Sequence, residues 1–422
     1  MRNFFAIKTL TFYPLLEIFF YMKISIFSDP HCGFEERGRE EDSFIALSEA
    51  MEKSLGSDLI LIAGDLFDSR VPKQEVLAKV AKILSKAHHF PGRARMVKVI
   101  NKDKEEISPL ALRGTPVIVI HGNHERRSRQ LLNPVQALEH AGLVINLHCS
   151  TIVFEIDGAK VAIHGMGNVP ERYAKDAFLA WNPQPVKDAL NILMLHQSVG
   201  DYIYSPLEPP TLQLEHLPDG FDLYVLGHLH WHEVRNFRTG KLLLPGSLIP
   251  AYPRKDESGQ KKGVWFYDGK NLEFSPLSFQ REIFFRDFEH AENVKEEIDS
   301  YLSSLPEGSI VKISVKGEGS GTTDFKDIVS KFESKLVVKI KNEIRAPEIE
   351  EKIKLLEMIR EKHLSPEELG MAMLRKNLEK LACPLRVEEI FDLLVNGEVE
   401  SALAILKGEQ KTLFSAAGGG KK

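Results

Sequence analysis

Five short apolar runs constrain this chain of 422 residues more than any other feature. ISIF (24–27), LILIA (59–63), VIVI (117–120), ILML (192–195) and LYVLG (223–227) show no polar alternation, as expected of strands covered on both faces. Each breaks off into Asp, Asn or His. Asp29 and His31 follow the first in FSDPHCGF, Asp65 lies in GDLFD, Asn123 and His124 in GNHE, His196 follows ILML, and His228 and His230 lie in GHLH. Residues just beyond the carboxyl ends of strands in an α/β sheet converge on one crevice. The pattern therefore predicts an α/β fold whose polar site is assembled from five separate loops.

From Met22 to about residue 146 strands alternate with helices, the helical spacing being clearest at Phe44, Leu47 and Met51 and at Val76, Leu77, Val80 and Leu84. TIVFEIDGAKVAIH (151–164) reads as a hairpin turning on Asp157-Gly158. Strands near 191–195, 222–226, 242–244, 263–267 and 271–275 follow with few helices between them. The expected product over 22–280 is a sandwich of two facing sheets flanked by helices. Residues 281–345 read as a small α+β unit with a Gly-rich turn at GEGSGT, 346–365 as a charged helical linker, and 366–408 as two amphipathic helices. The tail 409–422, ending SAAGGGKK, is expected to be disordered. In residues 1–21 Pro14 and Glu17 interrupt the apolar run and no small-residue cleavage site follows, so this stretch is read as an extension upstream of a working start at Met22. No run is expected to span a membrane.

A composition of 43% apolar and 27% charged residues belongs to an ordinary soluble globular protein. With a formal charge of −5, any contact with nucleic acid must come from local basic patches. Cys32, Cys149 and Cys383 are odd in number, far apart and lack a C-x-x-C pair, which argues against a disulfide framework or zinc ribbon and fits a reducing cytoplasm.

Carboxylate and amide oxygens mixed with imidazoles suit Mn²⁺, Fe²⁺ or Zn²⁺, and the absence of thiolates disfavours a purely structural zinc site. Two dications would outweigh the charges of Asp29 and Asp65, leaving a site that recruits hydroxide and a phosphate ester. Gly64, Gly122 and Gly227 let the backbone turn beneath the ions. Taken singly, GDLFD, GNHE and GHLH each read equally as turns or satisfied strand ends; their order along the chain is what discriminates. Cys32 reads as a packed thiol. His88, His89, His140, His148, His216 and His232 read as structural or solvent-facing, and His164 belongs either beside the ligands or in the core.

The series D-x-H, GD, GNH, H and GHxH is the signature of calcineurin-like metallophosphoesterases. SDPHCGF, LIAGDLFDSRVP, IHGNHERRSR, LMLHQSV, LGHLH and LPGSL further resemble the archaeal Mre-eleven-type DNA double-strand break repair nucleases, relatives of bacterial SbcD. The resemblance covers about 22–280 and is weaker beyond, where that family carries a capping domain and helices that bind a Rad-fifty-type coiled-coil ATPase. It implies two Mn²⁺ per subunit, with Mg²⁺, Fe²⁺ or Zn²⁺ as alternatives. Asp29, His31, Asp65 and His230 would hold one ion, and Asp65, Asn123, His196 and His228 the other. His124 would protonate the departing 3′ oxygen, with Glu125 as its orienting partner. It also implies 3′ to 5′ exonuclease action on duplex DNA ends, endonuclease action on single strands, and a homodimer within a heterotetramer, located at the nucleoid. Leu77, Leu84, Leu131, Leu132 and Leu138 are the expected dimer contacts, the alternative being that they face the sheet, and Arg126, Arg127 and Arg129 the expected DNA-backbone contacts, the alternative being a solvated charged turn. The alternatives are another two-metal phosphoesterase and a non-catalytic scaffold on the same fold. The first loses ground to Leu66, Phe67 and Asp68, where purple acid phosphatases place a metal-binding Tyr; the second loses ground because no ligand is missing.

Overall fold

A computed structural model of the chain describes residues 22–127, 131–203, 210–318, 324–345, 389–390, 393–394 and 399–406. The expectations for residues 1–21, 346–365 and 409–422 lie outside these, as does most of 366–408.

The chain opens with β1 (Ile24–Phe27), α1 (Asp42–Ser54), β2 (Leu59–Ile62), α2 (Gln74–Leu84), β3 (Arg95–Ile100), β4 (Val117–Val119), α3 (Pro134–His140) and β5 (Ile145–Asn146). It continues through β6 (Ser150–Ile156), β7 (Ala159–Met166), α4 (Glu171–Trp181), β8 (Leu190–His196), β9 (Leu223–Gly227), β10 (Glu233–Phe237), β11 (Gly240–Leu244), β12 (Gly263–Tyr267) and β13 (Leu272–Pro276). Six strands form one sheet in the order β13-β12-β1-β2-β4-β5 and seven form another in the order β10-β11-β9-β8-β7-β6-β3. Both centres are parallel, as in the pairings Ile24↔Leu59, Ile60↔Val117 and Ile192↔Leu223.

Strand periodicity divides the core into layers. Ile24, Ile26, Leu59 and Leu61 face Ile152, Phe154, Ile163 and Val225 between the sheets. The alternate residues Phe27, Ile60 and Ile62 pack outward on Phe44, Leu47 and Met51 of α1 and Val80 and Leu84 of α2. Beyond the second sheet, Leu193, Leu195 and Tyr224 pack on Ala174 and Phe178 of α4. Sheets covered on both sides explain why the runs are continuously apolar. Each fully buried side chain of this kind contributes about 1.5–3 kcal/mol relative to exposure.

Two strands escape the sequence pattern. β3 (RMVKVI) and β10 (EVRNF) are the edges of the second sheet and bury none of their residues fully, so neither carries an apolar run. The leucines also divide differently from the expectation. Leu84 and Leu138 are fully buried and Leu77 partly, all in the layer beneath the helices, because the sheet takes the apolar stripe of each helix; only Leu131 and Leu132, about half exposed, remain at the surface.

After β13 come β14 (Ile283–Glu289), α5 (Val294–Ser303), β15 (Ile310–Glu318), α6 (Lys326–Phe332) and β16 (Val337–Arg345), the three strands forming a sheet in the order β14-β15-β16. Val294, Ile298 and Leu302 of α5 and Ile328 and Phe332 of α6 are buried. Arg281 holds this segment to α1: Nε and Nη2 donate to the two Asp42 carboxylate oxygens at 2.6 and 2.7 Å, and Nη1 donates to Gly308 O at 2.8 Å. The chain divides into two compact units, the first running through Phe288 with Glu292–Ser314 and Asp324–Lys341, the second comprising Glu289–Ala291, Val315–Thr323 and Asn342–Lys422. In the second unit a helix spans Val399–Leu406, burying Ala402 and exposing Val399 and Leu403. Among the described residues no helix is long and apolar enough to cross a membrane.

Candidate metal centre

The parallel pairing of β1 with β2 continues past both strands. Asp29 N donates to Gly64 O, His31 N to Asp65 O and Cys32 N to Leu66 O, at 3.0, 3.0 and 2.9 Å. FSDPHC and GDLF are thus zipped side by side, which brings Asp29 and His31 against Asp65. The zipper requires unusual backbone. Asp29, His31, Asp65 and His228 all have positive φ, at 52, 49, 43 and 82°. Non-glycine residues held there cost on the order of 1–3 kcal/mol each and concentrate at functional sites. Three glycines make room: a Cβ on Gly64 would lie 2.0 Å from His196 Nδ1, one on Gly122 would lie 2.0 Å from Asp65 Oδ1, and one on Gly227 would lie 1.9 Å from Ala63 O.

The seven predicted ligands come together. Asp29 Oδ1 stands 3.9 Å from His31 Nε2 and 3.8 Å from His230 Nε2, and the two Nε2 atoms are 3.1 Å apart. His196 Nε2 is 3.2 Å from both Asp65 Oδ2 and Asn123 Oδ1, and His228 Nδ1 is 3.0 Å from the same Asn123 oxygen. Ligand atoms of Asp29, His31 and His230, of Asp65, His196 and His228, and of His31, Asp65 and His124 lie within 4.8 Å of one another. His31 and Asp65 each belong to two of these groups and so link all three.

Divalent cations fit this donor set. Asp29 Oδ1 is fully buried and, among the described residues, has no hydrogen-bond partner, although such an acceptor demands one. His31 Nδ1 donates to Asp68 Oδ1 at 2.9 Å, leaving its Nε2 lone pair aimed at His230 Nε2. His196 Nδ1 donates to Ala63 O at 2.7 Å, so its Nε2, between two oxygens, carries either a proton or a cation. Electrostatics reflect the same crowding. Burial pushes Asp29 up, whereas for Asp65 the imidazoles, His196 first, outweigh burial and hold the carboxyl well below the usual range. Burial draws His228 down to about 3; in His196 the Asp65 and Asp29 charges overcome burial and raise it to about 9.

His124 sits at the rim, its backbone N–H donating to Asp65 Oδ1 at 2.9 Å. Its Nδ1 lies 3.3 Å from Asp68 Oδ1 and 3.2 Å from Asp68 O. Burial lowers its affinity for a proton, but Asp68 and Asp65 prevail and push it up to about 9. Asp68, rather than the expected Glu125, therefore orients the ring. Glu125 is fully buried, accepts from Phe67 N at 2.9 Å and Gly122 N at 2.8 Å, and is pushed up to about 8 by burial and by Asp65. It braces the two loops. The available signal for Asp68 was its place in GDLFD, three residues past Asp65 on the same zippered segment.

Beside Asn123 and His228 opens a cavity of about 600 Å³ lined by Arg70, Arg126, Arg172 and Asn168. Arg126 Nη1 donates to Asn168 Oδ1, and Arg127 Nη1 donates to Leu132 O at 3.0 Å; Arg129 lies outside the described residues. Cys32 is packed and its thiol is pushed well above the ordinary range by burial. His164 is in the core, with Thr151 Oγ1 at 2.9 Å and Asn191 Oδ1 at 3.1 Å.

Residues 22–232, half of the chain, match the family model described as calcineurin-like phosphoesterase. Among curated proteins, the chain is 27% identical over 336 residues to "DNA double-strand break repair protein Mre11" of Methanopyrus kandleri, covering 73% of this chain and 67% of that protein. It is 29% identical over 264 residues to "Double-strand break repair protein mus-23" of Neurospora crassa (54% of this chain, 35% of that one). It is 24% identical over 303 residues to "Double-strand break repair protein MRE11" of Homo sapiens (63% and 42%). The matched part spans less than half the length of the fungal and human relatives.

Proposed function

The chain belongs to the calcineurin-like phosphoesterase family, and from that premise we propose that it is a DNA double-strand break repair nuclease. The single observation that carries the reading is the chain of three overlapping groups of ligand atoms, linked through His31 and Asp65, beyond the carboxyl ends of the parallel strands. The relatives named as double-strand break repair proteins support the substrate class. Asp29, His31, Asp65 and His230 would hold one divalent ion, for which we propose Mn²⁺, and Asp65, Asn123, His196 and His228 would hold the other. When bound, the pair supplies Lewis acidity toward phosphoryl oxygens and lowers the pKa of water to near neutral. The rest is the work of the chain. Its imidazolium favoured by Asp68 and Asp65, His124 gives its proton to the departing 3′ oxygen, a contribution of about 10²–10⁴-fold. Arg70, Arg126 and Arg172 line the neighbouring cavity and take the phosphates flanking the scissile one.

The activities proposed are 3′ to 5′ exonuclease action on duplex ends and endonuclease action on single strands. The segments divide into a nuclease domain (22–280), a capping domain (281–345), a linker (346–365) and helices (366–408) that bind a Rad-fifty-type coiled-coil ATPase. The nucleases pair as a homodimer, for which the half-exposed Leu131 and Leu132 are the remaining contact. Cleavage of defined single- and double-stranded oligonucleotides, with Mn²⁺ or EDTA and with or without the ATPase, tests the reading; no metal-dependent cleavage of either would reject it. Truncation after Ser365 should abolish co-purification with the ATPase while sparing cleavage of single strands.

A further inference from the structure

Tyr252 stands over the metal centre, and neither the ligand set nor the proton donor accounts for it. Its ring centroid lies 5.7 Å from that of His31, 5.7 Å from His124 and 6.3 Å from His230, and Phe34 supports it edge-on at 5.6 Å. The hydroxyl donates to the Asp68 carboxylate, 3.1 and 3.2 Å from its two oxygens. The residue nevertheless stays 38% exposed. Its loop, LIPAYPR, is pinned on both sides: Pro250 O accepts from Arg39 Nη2 at 2.8 Å and Pro253 O from Lys312 Nζ at 2.7 Å. An aromatic ring between two prolines, tethered at its hydroxyl and open to solvent beside a phosphodiester-cleaving centre, is already ordered before substrate arrives. Little conformational entropy is then lost when a flat partner lies against it.

We propose that Tyr252 is the stacking platform for an unpaired nucleobase adjoining the scissile phosphate, so that the site grips single-stranded DNA by one base as well as by its backbone. The inference rests on the nuclease reading and adds a base subsite to it. Stacking accepts any base, because every base presents a π-face, and so it matches a nuclease without sequence preference. The hydroxyl is engaged by Asp68 and serves as the tether; the ring makes the contact.

The test uses a single-stranded oligonucleotide with one phosphodiester linkage, all others being phosphorothioate. The nucleotide on either side of that linkage is intact, replaced by an abasic tetrahydrofuran, or replaced by 2-aminopurine. The wild-type protein with Mn²⁺ should prefer the intact substrate over one of the abasic ones by roughly 5- to 150-fold in kcat/KM, the equivalent of ~1–3 kcal/mol for one stacked base. Y252F should keep that preference, whereas Y252A and Y252L should bring it near parity. In EDTA, 2-aminopurine at the same position should be quenched on binding to wild type and Y252F but not to Y252A. Equal cleavage of intact and abasic substrates by the wild type overturns the base subsite alone. So does a Y252A protein, with wild-type metal content, that keeps the full preference. A Y252F protein that loses it shows the hydroxyl acting through Asp68, and also overturns the proposal. A wild type that cleaves no DNA overturns the nuclease reading and this inference with it.

Discussion

Replacing Gly64 by Ala tests the packing beneath the metal centre with a single methyl group. The added Cβ would lie 2.0, 2.6 and 2.8 Å from Nδ1, Cγ and Cε1 of His196, whereas ordinary contact begins at 3.4 Å, so a gap of about 1.4 Å must be opened. The imidazole is fully buried, and its Nδ1 donates to Ala63 O. Gly64 also sits at φ 103°, a conformation that costs a residue with a side chain about 1–3 kcal/mol. Loss of the hydrogen bond adds about 1 kcal/mol, for an expected destabilisation of about 2–4 kcal/mol. His196 Nε2 is within 3.2 Å of Asp65 and Asn123, and a misplacement of about 1 Å at a reacting centre costs on the order of 10²-fold. Urea unfolding, metal content and oligonucleotide cleavage measured on the same preparation should show a lower midpoint, less than the full complement of Mn²⁺ and cleavage reduced about 10²-fold. A variant with the wild-type midpoint and full activity would refute the placement of His196 against Gly64. Lowered stability with unimpaired cleavage would show that the strain is relieved in the backbone of 63–65 instead.

Asp68→Asn keeps the shape but removes the charge shared by His31, His124 and Tyr252; Mn²⁺ affinity should fall about 10–100-fold, read by titration calorimetry, and unchanged affinity would mean His31 needs no partner. His124→Gln should retain metal by elemental analysis while cleavage slows about 10²-fold or more, and a parallel loss of metal would make His124 a ligand. Lys262→Met leaves the fully buried Glu257 without its ion-pair partner at 2.6 Å and frees His230 O from a 2.7 Å contact. It should destabilise the fold by about 3–5 kcal/mol in urea melts, and a shift below about 1 kcal/mol would show that the pair is solvated.

The layered α/β architecture and the convergence of the seven candidate ligand residues were legible without coordinates because both follow from one local rule. A strand buried on two faces must be continuously apolar, so the residue at which the run breaks off marks where the strand leaves the core. ISIF, LILI and LYVLG each announce their own ends, and in a parallel sheet those ends lie together. Edge strands β3 and β10 obey no such rule, since one open side and a solvated face leave them free to be polar.

Tertiary structure decided the rest, for a physical reason: contact between side chains far apart in sequence leaves no period in either segment. Leu84 and Leu131 have the same composition value, yet the first is enclosed by the sheet and the second is half exposed. Glu125 adjoins His124 in the chain, but its carboxylate is captured by the N–H groups of Phe67 and Gly122. Asp68 reaches His124 only because the GDLFD loop is zipped to FSDPHC and folds beneath GNHE. Tyr252 arrives at the same carboxylate from 184 residues away. Its sequence neighbourhood shows a rigid proline loop, and only the fold places that loop over the metal centre.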